Sequence, residues 1–304
     1  MGSLRSRNQG VIPLPCRCLI GRSPLAHVRL SSDFASSEHA VVYWQGGTWK
    51  IRDLSSRNRT FVNDVSLDAG IPRVLSLGDT LRFGSPSEEW VLCDETEPEP
   101  YAITADRSRE QQGRGGLLLL PDEQEPQISI YFDGSKWICE DASCARPVAT
   151  GESLVLPSGT WSLLLPELRD GSILATKDAQ LTLGQVVLDL AVSSDEERVY
   201  LALDCDGVSR PLPSRACLYT LLTLARERAV ASKDSAEAGW VDAEELSRSL
   251  GCSREKLNVD IHRLRRLFLD AGVSDGERIV ERHADTCQLR IGTSRLRLKR
   301  LADS

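Results

Sequence analysis

Two kinds of hydrophobic patterning divide this chain. Over residues 1–94 the apolar residues come in short alternating runs, "AVVYW", "WKIRDL", "RVLSL", "TLRF" and "WVLC", separated by Gly, Asp, Ser and Pro. A period of two over four to six residues predicts half-buried strands, and no segment here has a helical period. The "QGGT" between the first two runs is a hairpin signal. These residues predict a β-sandwich with its loops gathered at one end.

After residue 181 the period changes. "LTLGQVVLDL" and "RVYLALDC" read as strands, and "SRACLYTLLTLARERAVA" then places Leu218, Leu221, Leu222, Leu224 and Ala225 at helical spacing, with Ser214 as the candidate N-cap. "VDAEELSRSLG" predicts a short helix capped by Asp242 and ended by Gly251. "SREKLNVDIHRLRRLFLDAG" predicts a longer helix from the Ser253 cap to Gly272, followed by the strand-like runs "RIVER", "CQLRIG" and "RLRL". At 100° per residue, Leu257, Ile261, Leu264 and Phe268 form one narrow inward stripe. Arg254, Asn258, His262, Arg265 and Arg266 fall on the other side, which this pattern expects to be exposed.

Between these regions, residues 95–116 are rich in Glu, Pro, Gln and Gly, a composition expected of a flexible linker. Residues 117–170 then echo the first region. "YWQGGTWKIRDLSS" from Tyr43 and "YFDGSKWICEDASC" from Tyr131 align without a gap, sharing Tyr, Gly, Trp, Asp and Ser. Either this is a shortened, degenerate copy of the same β-module, or two hairpins have converged on aromatic cross-strand pairs. Both readings make the segment structural.

Composition adds little to the fold and more to the function. Nine cysteines without a CxxC pair and only four histidines argue against a zinc site. No apolar run approaches the length of a membrane span, and no export signal stands at the start, so a cytoplasmic protein with reduced thiols and no membrane contact is expected. "MGSLRS" fits the myristoylation pattern, which unmodified N-termini also satisfy. The net charge of -7 is unevenly spread. Residues 1–94 and 240–304 are each +2, and the centre carries the acidity, so an anionic partner at either end is not excluded. No P-loop, G-x-S-x-G, HExxH or kinase catalytic-loop motif is present, and the expectation is a binding protein with no catalytic residues, no cofactor and no metal.

Three blocks in the first region carry a family resemblance: "IGRS" at residues 20–23, "SSEHA" at 36–40 and "DLSSRNRTFVN" at 53–63. In this order and spacing they resemble the forkhead-associated (FHA) domain, which binds phosphothreonine in partner proteins. The chemistry agrees, because a phosphothreonine presents roughly two negative charges and three acceptor oxygens, and the stretch from Ser55 to Thr60 is dense in donors and free of acids. By resemblance Arg22 and Ser36 hold the phosphate, Ser37 and Arg57 flank it, and Asn58 holds the neighbouring peptide backbone. His39 and Asn63 are read as scaffold. The sequence departs from the family at Arg59, where glycine is usual. If that position needs positive φ, the substitution costs about 1–2 kcal/mol, and either the turn is rebuilt or the strain is tolerated.

The C-terminal pattern of strands, three helices and a hairpin resembles the winged helix-turn-helix output domain of response regulators, with "VDIHRLRRLF" as the nearest local match. By resemblance His262, Arg263 and Arg265 are DNA contacts, Arg266 lies on the same cationic flank, and Arg282 comes from the wing. Asp260 and a wing without a glycine pair depart from that family. The fold class expected is therefore multidomain: an FHA-like β-sandwich at 1–94, a linker at 95–116, a small β module at 117–170 and an α+β winged helix at 181–304. The expected partners are a phosphothreonine-containing protein, either a Ser/Thr kinase or its substrate, and double-stranded DNA. The alternative is an adaptor for phosphoproteins whose basic helix contacts protein or solvent.

Overall fold

The computed structural model describes residues 1–6, 9–86, 88–167, 181–230, 238–283 and 286–301. The chain divides into two compact units, one of residues 1–114 with 149–172, the other of residues 115–148 with 173–304.

In the first unit, two sheets enclose a core that includes Leu4, Ile20, Val42, Trp49, Ile51, Phe83 and Trp90. One sheet orders Gly10–Pro13, Ser3–Ser6, Glu89–Asp94, Thr80–Phe83, Thr60–Val62 and Val65–Ser66; the other orders Val28–Arg29, Arg17–Gly21, Ala40–Gln45, Thr48–Asp53 and Arg73–Val74. The expected hairpin pairs Trp44 with Trp49, and Gly46 and Gly47 both take positive φ, as a two-residue turn matched to strand twist requires. Along Thr48–Asp53 burial alternates, so the register that turns Trp49 and Ile51 into the core also turns Asp53 inward at the strand's end.

The stretch expected to be a linker contains two strands instead. Tyr101–Thr104 pairs with Glu110–Gln112 on one side and with Gly159–Leu164 on the other, and Ser153–Leu156 completes this four-stranded sheet. Local composition misled because Tyr101, Ala102 and Thr104 are buried by partners some sixty residues further on. The segment 117–170 is likewise not one module. Its second half belongs to the first unit, whereas Leu118–Leu120, Ile128–Phe132, Trp137–Glu140 and Ala145–Val148 form an antiparallel meander in the second. The echo of Tyr43 to Ser56 falls on its central hairpin, where Phe132 pairs with Trp137.

The rest of the second unit begins with Val187–Val192, Val199–Cys205 and Val208–Pro211 in antiparallel order, and Leu296–Arg300 lies parallel to the first of these. Three helices follow: α1 (Leu218–Val230), α2 (Ala243–Ser249) and α3 (Arg254–Asp270). Asp242 caps α2 by accepting from the amides of Glu244 and Glu245, and Ser253 caps α3 through the amide of Lys256. Ser214 does not cap α1, which starts four residues later; its hydroxyl donates to the Val199 carbonyl. Val280–Arg282 and Gln288–Ile291 form a hairpin joined by Val241–Asp242.

The α3 stripe of Leu257, Ile261, Leu264 and Phe268 is buried against α1 and the hairpin side of the core. Truncating Phe268 to Ala should lower the second unit's stability by about 3–5 kcal/mol, because a ring-sized cavity in a packed core collapses only in part. A urea titration followed by circular dichroism reads this as a lower midpoint, and an unchanged midpoint would contradict the packing.

Candidate functional site

The loop after Thr48–Asp53 is organised by the Asp53 carboxylate, which is fully buried. It accepts from the amide and hydroxyl of Ser56 and from the hydroxyl of Thr60. Burial pushes its pKa up, but these hydrogen bonds outweigh it and hold the group below its ordinary value, so it stays ionised. Spanned in this way, the loop presents Arg57 and Asn58 at its crest. Arg59 keeps φ of +63°, so the turn is not rebuilt where the family pattern has glycine. Its carbonyl is held twice, by the His39 ring and by the Gly84 amide.

A second loop, residues 31–37, closes on the first. The Ser36 hydroxyl accepts from the Arg57 amide at 3.1 Å, leaving its proton free to donate outward, and the Asn58 side-chain amide donates to the Phe34 carbonyl at 2.8 Å. The Arg22 amide donates to the Ser36 carbonyl and the Ser23 amide to the Ser37 carbonyl, each at 2.9 Å. A Cβ on Gly21 would lie 2.2 Å from the Ser37 carbonyl, so the glycine of "IGRS" is what allows this approach. Beneath them His39 is fully buried, its Nδ1 accepting from the Ser36 amide and its Nε2 donating to the Arg59 carbonyl. Burial lowers its pKa, so the ring is neutral and acts as a spacer between the two loops.

Arg22, Ser36, Ser37, Arg57 and Asn58 thus converge on one loop cluster, and Asn63 lies apart, tying its own turn to Asp79 and Thr80. Three contributors escaped the sequence reading. Buried Glu88 accepts from the amides of Ser31 and Ser32 and anchors the second loop. Gly84, at φ of +74°, leaves room for the Phe34 carbonyl that orients Asn58. Asp33 pairs with the half-exposed Arg22 guanidinium at 3.2 Å. Nothing local marks Glu88, whereas the acid Asp33, three residues before Ser36, was visible. Chemically the cluster gathers guanidinium, hydroxyl and carboxamide donors in one place, and the exposed Arg22–Asp33 pair there is worth at most about 1 kcal/mol.

The second group of predicted residues is placed differently. Of His262, Arg263, Arg265, Arg266 and Arg282, only Arg263 keeps substantial exposure, at 45%; His262 and Arg265 are at 0%. The expected exposed flank of α3 is covered by the 118–148 meander. Arg265 donates to Glu140, to the Ser129 hydroxyl and to the Val280 carbonyl, with its guanidinium 4.5 Å from the Tyr131 ring centroid. Arg282 donates to the other Glu140 oxygen at 3.0 Å, and Arg266 pairs with Glu123 at 3.1 Å. Arg254 and Asn258 donate to the carbonyls of Ala142 and Gln127. Glu140, fully buried, would be raised by burial, but Arg265 and Arg282 hold it well below the usual carboxylate range. His262 is pushed down to about 3 by burial and by Arg265, and is neutral. Helical periodicity cannot foresee this, because it assigns a polar flank to solvent unless a second element is known to cover it.

A family model for the FHA domain matches residues 18–84. No curated protein matches the chain. Among solved structures, one from a study of phosphothreonine-dependent FHA domain interactions is 27% identical, covering 30% of this chain and 92% of that one, with a TM-score of 0.27. The FHA domain of FhaA in complex with a partner's intracellular domain is 28% identical, covering 30% and 98%, also at 0.27. EmbR of Mycobacterium tuberculosis, in complex with a low-affinity phosphopeptide, is 27% identical, covering 30% of this chain and 23% of its own, again at 0.27. The N-terminal sandwich is an FHA domain.

Because Arg59 holds positive φ without need of its side chain, Arg59→Gly should be as stable as the wild type or more so, by up to about 1 kcal/mol after the flexibility glycine adds to the unfolded chain. Arg59→Ala, which keeps the strain, should show no gain. Parallel denaturant titrations check this, and a loss above about 1 kcal/mol in the glycine variant would show that the side chain supports the turn.

Proposed function

We propose that this chain, with its N-terminal FHA domain, is a phosphothreonine-peptide-binding signalling protein. The supporting observation is the hydrogen-bonded convergence of Arg22, Ser36, Arg57 and Asn58, since FHA domains bind phosphothreonine peptides. In this reading Arg22 and the Ser36 hydroxyl take the phosphate oxygens, Ser37 and Arg57 flank them, and Asn58 fixes the peptide backbone beside the phosphothreonine. The protein acts by recruitment, because affinity exists only when the partner is phosphorylated. The reading takes the whole chain as a binding protein rather than an enzyme.

Its output, in the same proposal, is a DNA-directed winged helix in the second unit, making the protein a transcriptional regulator under Ser/Thr-kinase control. Support comes from three helices followed by a hairpin, and from the cations of α3 with Arg282 beside them. Among the described residues, the donors His262 Nδ1, Arg265 Nε and Arg282 Nη1 are buried with no hydrogen-bond partner, which suits a face whose ligand is something else. The covering of that face by the meander favours the second reading, a phosphoprotein adaptor that binds no DNA. A salt titration of binding to random-sequence duplex separates the two: salt-sensitive binding supports a DNA-directed output.

Two outcomes follow for the phosphate site. Arg22→Ala should weaken binding of a phosphothreonine peptide on the order of a hundredfold, equivalent to charge-assisted bonds of about 3 kcal/mol, without changing the melting temperature. Isothermal titration measures it, and undiminished affinity would refute the pocket. Affinity of the wild type should also fall as pH drops from 7.5 to 5. The phosphate's second ionisation lies near about 6, so the ligand loses charge in this window while the arginines keep theirs. Burial holds His39 below its ordinary value, which opposes its adding a compensating cation. Affinity that rises on acidification would show a protonating imidazole at the site.

A further inference from the structure

We infer that the meander of residues 118–148 is an intramolecular mask over the DNA-directed face of α3, with Glu140 occupying the place of a nucleic-acid phosphate. The inference rests on the winged-helix reading above and adds its regulation.

The contact is chemically one-sided. The side chains of α3 and the hairpin supply donors, and the meander supplies acceptors: the Gln127 and Ala142 carbonyls, the Ser129 hydroxyl and both oxygens of Glu140. A wall of acceptors around one anion is what a duplex backbone and groove edge also offer to an arginine-rich helix. The match is incomplete. One carboxylate serves two guanidinium groups, Arg265 and Arg282, each almost wholly withdrawn from water. Buried donors without an acceptor are costly, and His262 Nδ1, Arg265 Nε and Arg282 Nη1 have none among the described residues. The masked face therefore has donors for more acceptors than the mask supplies, whereas the unpartnered Asn258 Oδ1 asks for a donor. Closure stands because the meander also buries Leu117, Leu119, Tyr131 and Ile138 in an apolar cluster against which Leu269 of α3 packs. Apolar contact holds the segment in place, while the polar chemistry beneath it favours exchange for a polyanion.

The experiment uses the full chain and a fluorescent random-sequence duplex at low salt, read by anisotropy, with hydrogen exchange of α3 and of Ile128–Phe132 recorded on the same samples. Glu140→Gln removes the phosphate stand-in from the mask alone. It should speed exchange across the contact and tighten duplex binding at least tenfold over wild type, and adding Arg265→Ala should abolish the gain. Glu123→Gln, at the half-exposed rim beside Arg266, should give a smaller gain of the same sign, and it decides the matter if Glu140→Gln melts out. Wild type that binds duplex as tightly as the opened variants overturns the mask and leaves the DNA reading standing. Faster exchange with no duplex binding by any variant overturns the DNA reading, and the mask falls with it. Unchanged exchange and affinity in both variants overturn the mask directly.

Discussion

A carboxylate taken out of water must be surrounded by donors, and this constraint shapes the working parts of both units. Asp53 gathers the amide and hydroxyls of its own loop, and Glu88 gathers two amides of the loop opposite. Glu140 gathers two guanidinium groups from elements that follow it by more than a hundred residues. In the first two cases the buried charge stiffens loops whose outer donors stay available. In the third it consumes the donors themselves. The same physical demand thus leaves donors outward in one unit and buries them in the other.

Preorganisation marks the loop cluster of the FHA domain. Backbone amides and carbonyls tie Arg22, Ser36, Arg57 and Asn58 to one another, and neutral His39 sets the spacing between loops without adding charge. Side chains that need only rotate lose less entropy on binding than loops that must first assemble. Arg59 belongs to the same economy. Its left-handed backbone is retained against a penalty because its carbonyl is bonded on two sides. The Arg22–Asp33 pair is the exposed and weak contact of the cluster.

Helix α3 combines features that conflict locally. Its apolar stripe is buried in the core, and Asn258, His262 and Arg265 of its polar flank are buried under the meander. A helix permanently embedded on two sides is expected to carry apolar residues on both, since well-packed hydrophobic groups replace buried ion pairs at little or no loss of stability. Of the five cations between Arg254 and Arg266, Lys256 and Arg263 face water, while Arg265 is wholly and Arg266 largely withdrawn from it. Arg265 is the residue at which polar sequence and buried surroundings meet.

How much of this was legible follows from the range of the forces involved. Period-two alternation, the Gly46–Gly47 turn, the Asp242 and Ser253 caps and the α3 stripe all depend on neighbours within a few residues, so the amino-acid order alone specified them. The three motif blocks likewise named the residues that converge in one loop cluster, because each block lies within a single loop. The connector proved to hold strands, and the middle segment was divided between units, because Tyr101 and Leu164 meet only through long-range pairing. Covering of the α3 flank was equally invisible: an arginine at a polar helical position reads as solvated until a distant carboxylate is brought against it. Local geometry is written in the order of residues; which donors remain free is settled only when separate elements compete for them in three dimensions.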